Sequence, residues 1–307
     1  MAAPNTLRNV AIAGASGNIG APILTALLAK GHHVTILSRP DSSTASFPSE
    51  AKVHRVDYTD EATLTPILRG QDVVIVAVAF HSYSVQDPLI RAAAAAGVPY
   101  FVPCEYGSDG SNAKFDSLPL AQLKKPYRQL IEELGVSSWI GVVTNPWFEY
   151  SMRQGLYGID LAKKTATLFD RGATKASLTT LTRVGESLAA LLALPEPELA
   201  QYKNKEAYFR SFHASQRDVL AAALKATGTS EGDWKIEEKP SDVAIPYYLE
   251  QLGKGNVAEG IFIIMCAAFT EGWGGDYEAK AVDYKRLGLA AEDLDAEMAK
   301  VAKEFGY

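Results

Sequence analysis

Val10-Ala-Ile-Ala-Gly14-Ala-Ser-Gly17-Asn-Ile-Gly20 decides how the rest of the chain is read. A short apolar run, Asn9 to Ala13, enters a pattern with glycine at every third position, and a helical segment from about Ile19 to Lys30 follows and stops at Gly31. Each glycine has a separate physical task. Gly14 permits a tight turn, Gly17 leaves room for backbone amides to approach a pyrophosphate, and Gly20 lets helix and strand pack closely. The free amides and the positive end of the helix macrodipole then attract the anion.

Outward from this turn, apolar runs alternate with helical stretches. His33 to Leu37, Val53 to Val56, Val73 to Ala79, Val98 to Val102 and Ser138 to Val143 join the first run as six expected strands. Runs that are apolar at consecutive positions belong to strands covered on both faces, and the spacers are long enough for crossover helices. The expected fold is α/β, a doubly wound parallel sheet of the Rossmann type. Asp87 is the expected cap of a helix that includes Arg91 to Ala96 and ends at Gly97.

After Pro146 the pattern changes to a hairpin over Thr165 to Thr180, a helix from Val184 to Leu194, a strand at Ala207 to Phe212, a helix from Ser215 to Ala226 and a terminal helix from Asp293 to Phe305. At roughly 150 residues per domain, the 307 residues divide into a dinucleotide-binding part, 1–150, and a smaller substrate-binding part, 151–307, that follows or interleaves with it. A formal charge of −6 argues against a nucleic-acid binder, which needs a concentrated basic surface. Val73 to Phe80 and Ile261 to Phe269 are far shorter than the roughly 20 residues of a membrane span. No apolar signal core opens the chain, and Cys104 and Cys266 are too few for a disulfide scaffold, so a cytoplasmic protein with two buried thiols is expected.

The second strand ends in Leu37-Ser38-Arg39, where an acidic residue would normally accept both ribose hydroxyls of NAD. The planar, permanently charged fork of Arg39 suits a 2′-phosphate instead, which favours NADP(H), although Asp41 lies close by. Ser16, Asn18 and Ile19 in the turn and Ala79 at the carboxyl end of the fourth strand complete the expected cofactor contacts. Asp57 has two readings, an adenine contact or a helix cap before Ala62.

No tyrosine is followed four residues later by lysine, so the ordinary proton relay of short-chain dehydrogenases is absent. The chain carries Pro103-Cys-Glu-Tyr-Gly-Ser-Asp109, then Lys124-Lys-Pro-Tyr-Arg128, then Ile131-Glu-Glu-Leu-Gly-Val136. This combination resembles the NmrA-like and isoflavone-reductase-like branch of the atypical short-chain dehydrogenases, with its Pro-Ser-Glu-Phe-Gly block and its lysine four residues before an arginine. The likeness is firm from Asn9 to about Phe148 and looser beyond, where Arg183-Val-Gly-Glu186 and Leu287-Gly-Leu289 echo family landmarks. It implies a Rossmann domain, a smaller substrate part and NADPH, with Gly14, Gly17, Gly20 and Arg39 on the cofactor positions and Lys124 on the catalytic lysine. Cys104 and Tyr106 depart from the family's serine and phenylalanine, and Pro126 enters the helix that carries Lys124.

The residues also speak for themselves. On a helix through Leu120 to Leu134, Leu120, Leu123, Tyr127, Leu130, Ile131 and Leu134 share one face, with Lys124 at its edge and Lys125 nearly opposite, in solvent. A lysine at an apolar edge has its basicity lowered by desolvation and can then exchange a proton near neutral pH. His81 and Tyr83 follow the fourth strand at the ligand-binding edge, while His32 and His33 lie at the opposite end and are structural. Trp147 and Phe148, facing Tyr106, form an apolar wall for an aromatic or enone-type substrate, or else belong to the core. The leading expectation is an NADPH-dependent reductase of a small conjugated molecule. The rival is a regulator that senses the nucleotide without catalysis.

Overall fold

A computed structural model of the protein describes residues 6–41 and 46–307. The sheet-forming half runs β1 (Asn9–Ala13), α1 (Gly20–Lys30), β2 (His33–Ser38), β3 (Lys52–Arg55), α2 (Glu61–Leu68), β4 (Val73–Val76), α3 (Gln86–Ala96), β5 (Tyr100–Val102), α4 (Ala113–Asp116), α5 (Pro119–Gln122), α6 (Lys125–Leu134) and β6 (Ser138–Val143). It continues as α7 (Phe148–Arg153), β7 (Ile159–Asp160), β8 (Thr165–Phe169), β9 (Lys175–Leu178), α8 (Leu181–Leu192), α9 (Glu196–Leu199), β10 (Lys205–Tyr208), β11 (Phe212–Ser215), α10 (Gln216–Thr227), β12 (Lys235–Lys239), α11 (Ser241–Gly253), α12 (Val257–Gly260), α13 (Phe262–Ala268), α14 (Tyr284–Leu287) and α15 (Leu294–Glu304).

Seven parallel strands form the main sheet in the order β10-β6-β5-β4-β1-β2-β3. All six strands expected in the first half are present, and the α/β doubly wound architecture holds. Val10 faces Val34 on one side and Val73 on the other, so β1 is an interior strand of a sheet whose core residues are shut from water on both faces. The connection reverses between β1 and β4, and a crevice opens at the carboxyl edge there. α1 and α3 stop where expected, at Gly31 and Gly97, whose φ values of 93° and 77° are left-handed.

Several local expectations are corrected. Val85, not Asp87, is the N-cap of α3; the Asp87 carboxylate instead pairs with Arg91 one turn on, at 2.7 Å. Thr165 to Thr180 is no hairpin. β8 lies between β7 and β12, whereas β9 pairs with β11, because Asp170, Arg171 and Gly172 take successive positive φ values that carry the chain into a second sheet. The strand expected at Ala207 to Phe212 is two strands: β10 joins β6 in the main sheet, and β11 leaves it. β10, from later in the chain, thus lies in the main sheet beside β6.

α8, which also comes later in the chain, packs along α1. A Cβ on Gly185 would lie 2.4 Å from the Pro22 carbonyl oxygen, so only glycine allows the two helix backbones to approach this closely. At the far end of α8, the buried Arg8 donates to the carbonyls of Leu192 and Leu194 at 2.7 and 2.9 Å, satisfying acceptors that the helix end leaves open. His32 accepts from the Arg8 amide at 3.1 Å and contacts the Ala189 carbonyl at 3.0 Å, a structural role as expected. Gly185→Ala is expected to lower stability by about 1–3 kcal/mol in chemical denaturation. Gly253→Ala at the open end of α11, where nothing lies within 4 Å of the new methyl, is expected to be neutral or stabilising by up to about 1 kcal/mol.

Candidate active site

The carboxyl edge of the sheet opens into a cleft of about 820 Å³. Gly17, Asn18 and Ile19 form one rim, and Ala77 to Phe80 after β4 form the floor. The loop Cys104 to Ser108 and the side chain of Lys124 form another wall, while Tyr150 on α7, Gln154 after it, and Ile261, Phe262 and Met265 close the cleft.

The glycine turn is dictated by contact distance. A Cβ on Gly14 would lie 2.3 Å from the Ala77 oxygen, and one on Gly20 would lie 2.0 Å from the Gly14 oxygen, so neither position tolerates a side chain. Gly14 also has a φ of 85°, which glycine alone adopts readily. Ser16, Gly17 and Asn18 are exposed above this packed base. Ile19 is the N-cap of α1 and offers no side-chain acceptor; in the first turn the Ala21 amide donates to the Gly17 carbonyl at 2.9 Å and Pro22 has no amide hydrogen, so an external anion would be met at the helix tip, by Gly20 and the loop before it.

At the end of β2, Arg39 is exposed and lies 3.7 Å from the Asp41 carboxylate. Arg55, which the sequence reading overlooked, reaches across from β3 and donates to Ser38 Oγ at 2.7 Å and to the Arg39 carbonyl at 3.2 Å. The Arg55 guanidinium therefore braces the backbone that carries Arg39. Asp57 accepts from the amide and hydroxyl of Thr59, both at 2.8 Å, and the cap of α2 is Asp60 rather than Asp57.

Lys124 does not lie inside a continuous helix from Leu120 to Leu134. The chain breaks into α5 and α6, with Lys124 as the N-cap of α6 and Pro126 in its first turn, where a missing amide costs nothing. The break turns Leu123 out to solvent, off the apolar face assigned to it, and directs Lys124 to the cleft, where Nζ donates to the Glu105 carbonyl at 2.6 Å. Burial holds its amine below the usual lysine range, opposed by the Glu105 carboxylate. Lys125 is half-buried and paired with Asp116 at 2.6 Å, not free in solvent.

Tyr83, Tyr106 and Trp147 line the cleft, with Trp147 Nε1 donating to the Tyr106 carbonyl at 3.0 Å and its ring edge-on to Tyr150 at 5.7 Å. Phe148 does not line it. Its ring is fully buried in a second core against Phe212 and Tyr157, because α7 begins there and turns the side chain away. His81 is exposed on the turn Phe80–Val85 and lies outside the cleft lining, although its neighbours Phe80 and Tyr83 belong to it. Asn145 was also overlooked. Its φ of 52° is sustained by Nδ2 bonds to the carbonyls of Ser177 and Gly275, at 2.8 and 2.7 Å, which lie far off in the sequence.

Five buried polar atoms on cleft residues, Glu105 Oε1, Tyr106 OH, Ser108 Oγ, Asn145 Oδ1 and Ser151 Oγ, have no hydrogen-bond partner, although the first is ion-paired with Arg128. Buried polar groups ordinarily find one. Their concentration here, with the uncapped α1 start and Arg39, fits a long ligand that is anionic at one end and polar at the other. Both cysteines are buried, as expected. Cys104 Sγ lies 3.2 Å from the Val78 carbonyl, and burial pushes its thiol up to about 11, as it does that of Cys266 to about 12.

A model of the NmrA-like family matches residues 6–166, more than half of the chain. The chain belongs to the NmrA-like family. The oxidoreductase aprR of Aspergillus flavus is 34% identical over 96% of this chain and 98% of its own, and the oxidoreductase poxI of Penicillium oxalicum is 28% identical over 94% and 92%. A solved structure of AtPrR2 with NADP+ and (+)-pinoresinol overlays with a TM-score of 0.78 at 19% identity, covering 96% of this chain and 99% of that one. Leucoanthocyanidin reductase of Vitis vinifera with NADPH overlays at 0.75, with 19% identity and 96% and 99% coverage. The NmrA-like family and the Rossmann-like fold are thereby established, and aprR and poxI, which the chain resembles over nearly its full length, are oxidoreductases. Among the described residues, no helix is long and apolar enough to cross a membrane.

The raised Cys104 and Cys266 thiols leave roughly a thousandth or less of either as thiolate at pH 8. Ellman titration of the native NmrA-like chain is accordingly expected to detect no fast thiol, and two after denaturation. Cys104→Ser is expected to keep turnover within about tenfold, as for a wall residue rather than a nucleophile.

Proposed function

We propose that this chain is an NADPH-dependent reductase that delivers hydride to a small, flat, conjugated or aromatic substrate, with Lys124 handling the proton. One observation carries the reading: an amine held below the usual lysine range lines the same cleft as the glycine turn and several aromatic side chains. A nucleotide sensor needs the turn but has no use for such an amine. The full-length likeness to oxidoreductases supports the same choice.

Gly14, Gly17 and Gly20 shape the turn that would hold the pyrophosphate, with Ser16, Asn18 and Ile19 presenting hydroxyl, amide and backbone groups above it. Arg39, supported by Arg55, would take the 2′-phosphate, and Ala79 would lie under the ring end. NADPH, when bound, supplies the hydride. Lys124 then gives a proton, directly or through water, to the atom of the substrate that gains negative charge, while its bond to the Glu105 carbonyl keeps Nζ in place. Tyr83, Tyr106 and Trp147 bound the substrate on one side, and Phe262 and Met265 exclude water on the other. Asp57 and His81 receive no part in this arrangement, and Phe148 supports it only from behind.

Three measurements test the reading. Against a panel of enones, quinones, imines and aryl ketones, Lys124→Ala is expected to lower kcat by about 10² to 10⁴, while Lys125→Ala changes it little. Equal turnover in both variants overturns the role of Lys124. Wild-type kcat/KM is expected to fall on the alkaline side with an ionisation below the usual lysine range, since an acid must hold its proton, and that limb is expected to be lost in Lys124→Ala. In calorimetry, Arg39→Ala is expected to weaken NADPH by about ten- to a hundredfold and leave NADH little changed, because a charge-assisted hydrogen bond contributes about 1.5–3 kcal/mol. Equal losses for both cofactors would overturn the assignment of NADP.

A further inference from the structure

Behind Lys124 lies a buried set of charges that the reaction above does not use. Glu105 meets Lys124 through its backbone carbonyl, at 2.6 Å from Nζ, and its side-chain Oε1 lies 2.9 Å from Arg128 Nε. Arg128 stands one turn after Lys124 on α6 and donates from Nη1 to Glu206 Oε1 on β10 at 3.0 Å. Its guanidinium lies 5.1 Å from the Trp139 ring centroid. Exposure of these side chains is 14% for Arg128, 7% for Glu105 and 17% for Glu206, so the ions interact with little screening.

Two glycines make the arrangement possible. A Cβ on Gly107 would lie 3.0 Å from Lys124 Nζ, and one on Gly110 would lie 3.0 Å from Arg128 Nη2, so both cationic heads rest on bare backbone of one loop. That loop holds the acceptor of Lys124 as well. A closed circuit results: Lys124 to the Glu105 carbonyl, the Glu105 carboxylate to Arg128, and Arg128 along one turn of α6 back to Lys124.

We propose that Glu105 and Arg128, locked to each other and to Glu206, are positioning residues that aim the Lys124 amine into the cleft and set the electric field at it. The proposal rests on the catalytic reading of Lys124. A buried ion pair is costly and weak as a source of stability, whereas it is well suited to holding a neighbouring charge at fixed strength. The groups facing Lys124 are the Glu105 carboxylate and the Cys104 thiol on the loop after β5, and Arg128 on α6. Glu206 on β10 acts through Arg128. Glu105 favours the ammonium, Arg128 disfavours it, and Cys104 carries no charge near neutral pH, since burial pushes its thiol up to about 11.

Competitive acetylation with acetic anhydride, read residue by residue in a mass spectrometer, measures the neutral fraction of each lysine amine in the full chain without any substrate. Glu105→Gln keeps the backbone carbonyl and removes the charge, so labelling of Lys124 at pH 7.5 is expected to rise about five- to tenfold, with Lys125 as the unchanged internal reference. Arg128→Gln is expected to slow Lys124 labelling, and Arg128→Lys, which keeps the charge, to restore it to near the wild-type rate. With an enone or quinone found active, the alkaline limb of the Glu105→Gln rate profile is expected to move to lower pH. Unchanged or slower Lys124 labelling in a folded Glu105→Gln protein overturns the proposal. If that variant does not fold, equal labelling in Arg128→Gln and Arg128→Lys overturns it instead. Because acetylation reports on the amine alone, its outcome stands apart from that of Lys124→Ala, whose normal turnover would sink the catalytic reading while leaving the measured field intact.

Discussion

The Ala77 carbonyl oxygen, just past β4, occupies the space in which a side chain on Gly14 would have to sit, and the Gly14 oxygen does the same to Gly20. Backbone on backbone at this distance lets β1, the turn and the start of α1 nest against β4. The Gly17 amide closes the turn by donating to the Gly14 carbonyl at 3.0 Å, which fixes where α1 begins relative to the sheet edge. The helix then aims its uncapped end at the cleft, and its other face receives α8 at Gly185, where the spacing is again that of bare backbone. The walls formed by the loops after β4, β5 and β6 are referred to this junction, since all three leave the same edge of the same sheet.

What holds the second half against that edge is a set of hydrogen bonds between residues distant in sequence. Asn145, in the left-handed region, donates to the carbonyls of Ser177 and Gly275. The Thr179 hydroxyl lies within 2.6 and 2.8 Å of the Thr144 and Phe209 carbonyl oxygens, and Tyr277 OH donates to the latter at 2.8 Å. Arg183, buried in α8, reaches Glu292 Oε2 at 2.7 Å and stacks over Tyr284. The wall carrying Trp147 is thereby fixed to both halves, which suits a site whose selectivity depends on side-chain placement within about half an ångström.

The sheet was legible because its cause is local. Consecutive β-branched residues and a glycine every third position are statements about neighbouring backbone, and β1, α1 and the glycine stops at Gly31 and Gly97 followed from them. The second half resisted for the opposite reason. β10 belongs to the main sheet only because β6 is available beside it, and nothing in Lys205–Tyr208 itself distinguishes that partner from a hairpin. Periodicity also misplaced Leu123 and Lys125, because it assumed one helix where Pro126 starts a new one. Phe148 and Trp147 are adjacent and similar in chemistry, yet α7 starts between them and sends one ring to a core and the other to the cleft. Arg55 was missed since parallel pairing of β2 with β3, not sequence distance, brings it to Ser38.

Strain and unpaired polarity collect around the cleft. Tyr106 and Asn145 are held at φ values of 36° and 52°, a conformation that costs of order 1 kcal/mol or more for a residue with a side chain. Both also carry buried polar atoms without partners, and Lys124 is an amine kept short of water. Each feature opposes folding where it stands, so the surrounding structure must over-determine it. The circuit through Glu105 and Arg128, the bond from Trp147 Nε1 to the Tyr106 carbonyl and the paired anchors of Asn145 do this at the same three positions. A ligand that satisfied the Tyr106 and Asn145 atoms would recover part of that cost on binding, which gives the cleft a preference for flat molecules with polar groups at their edge over wholly apolar ones of the same size.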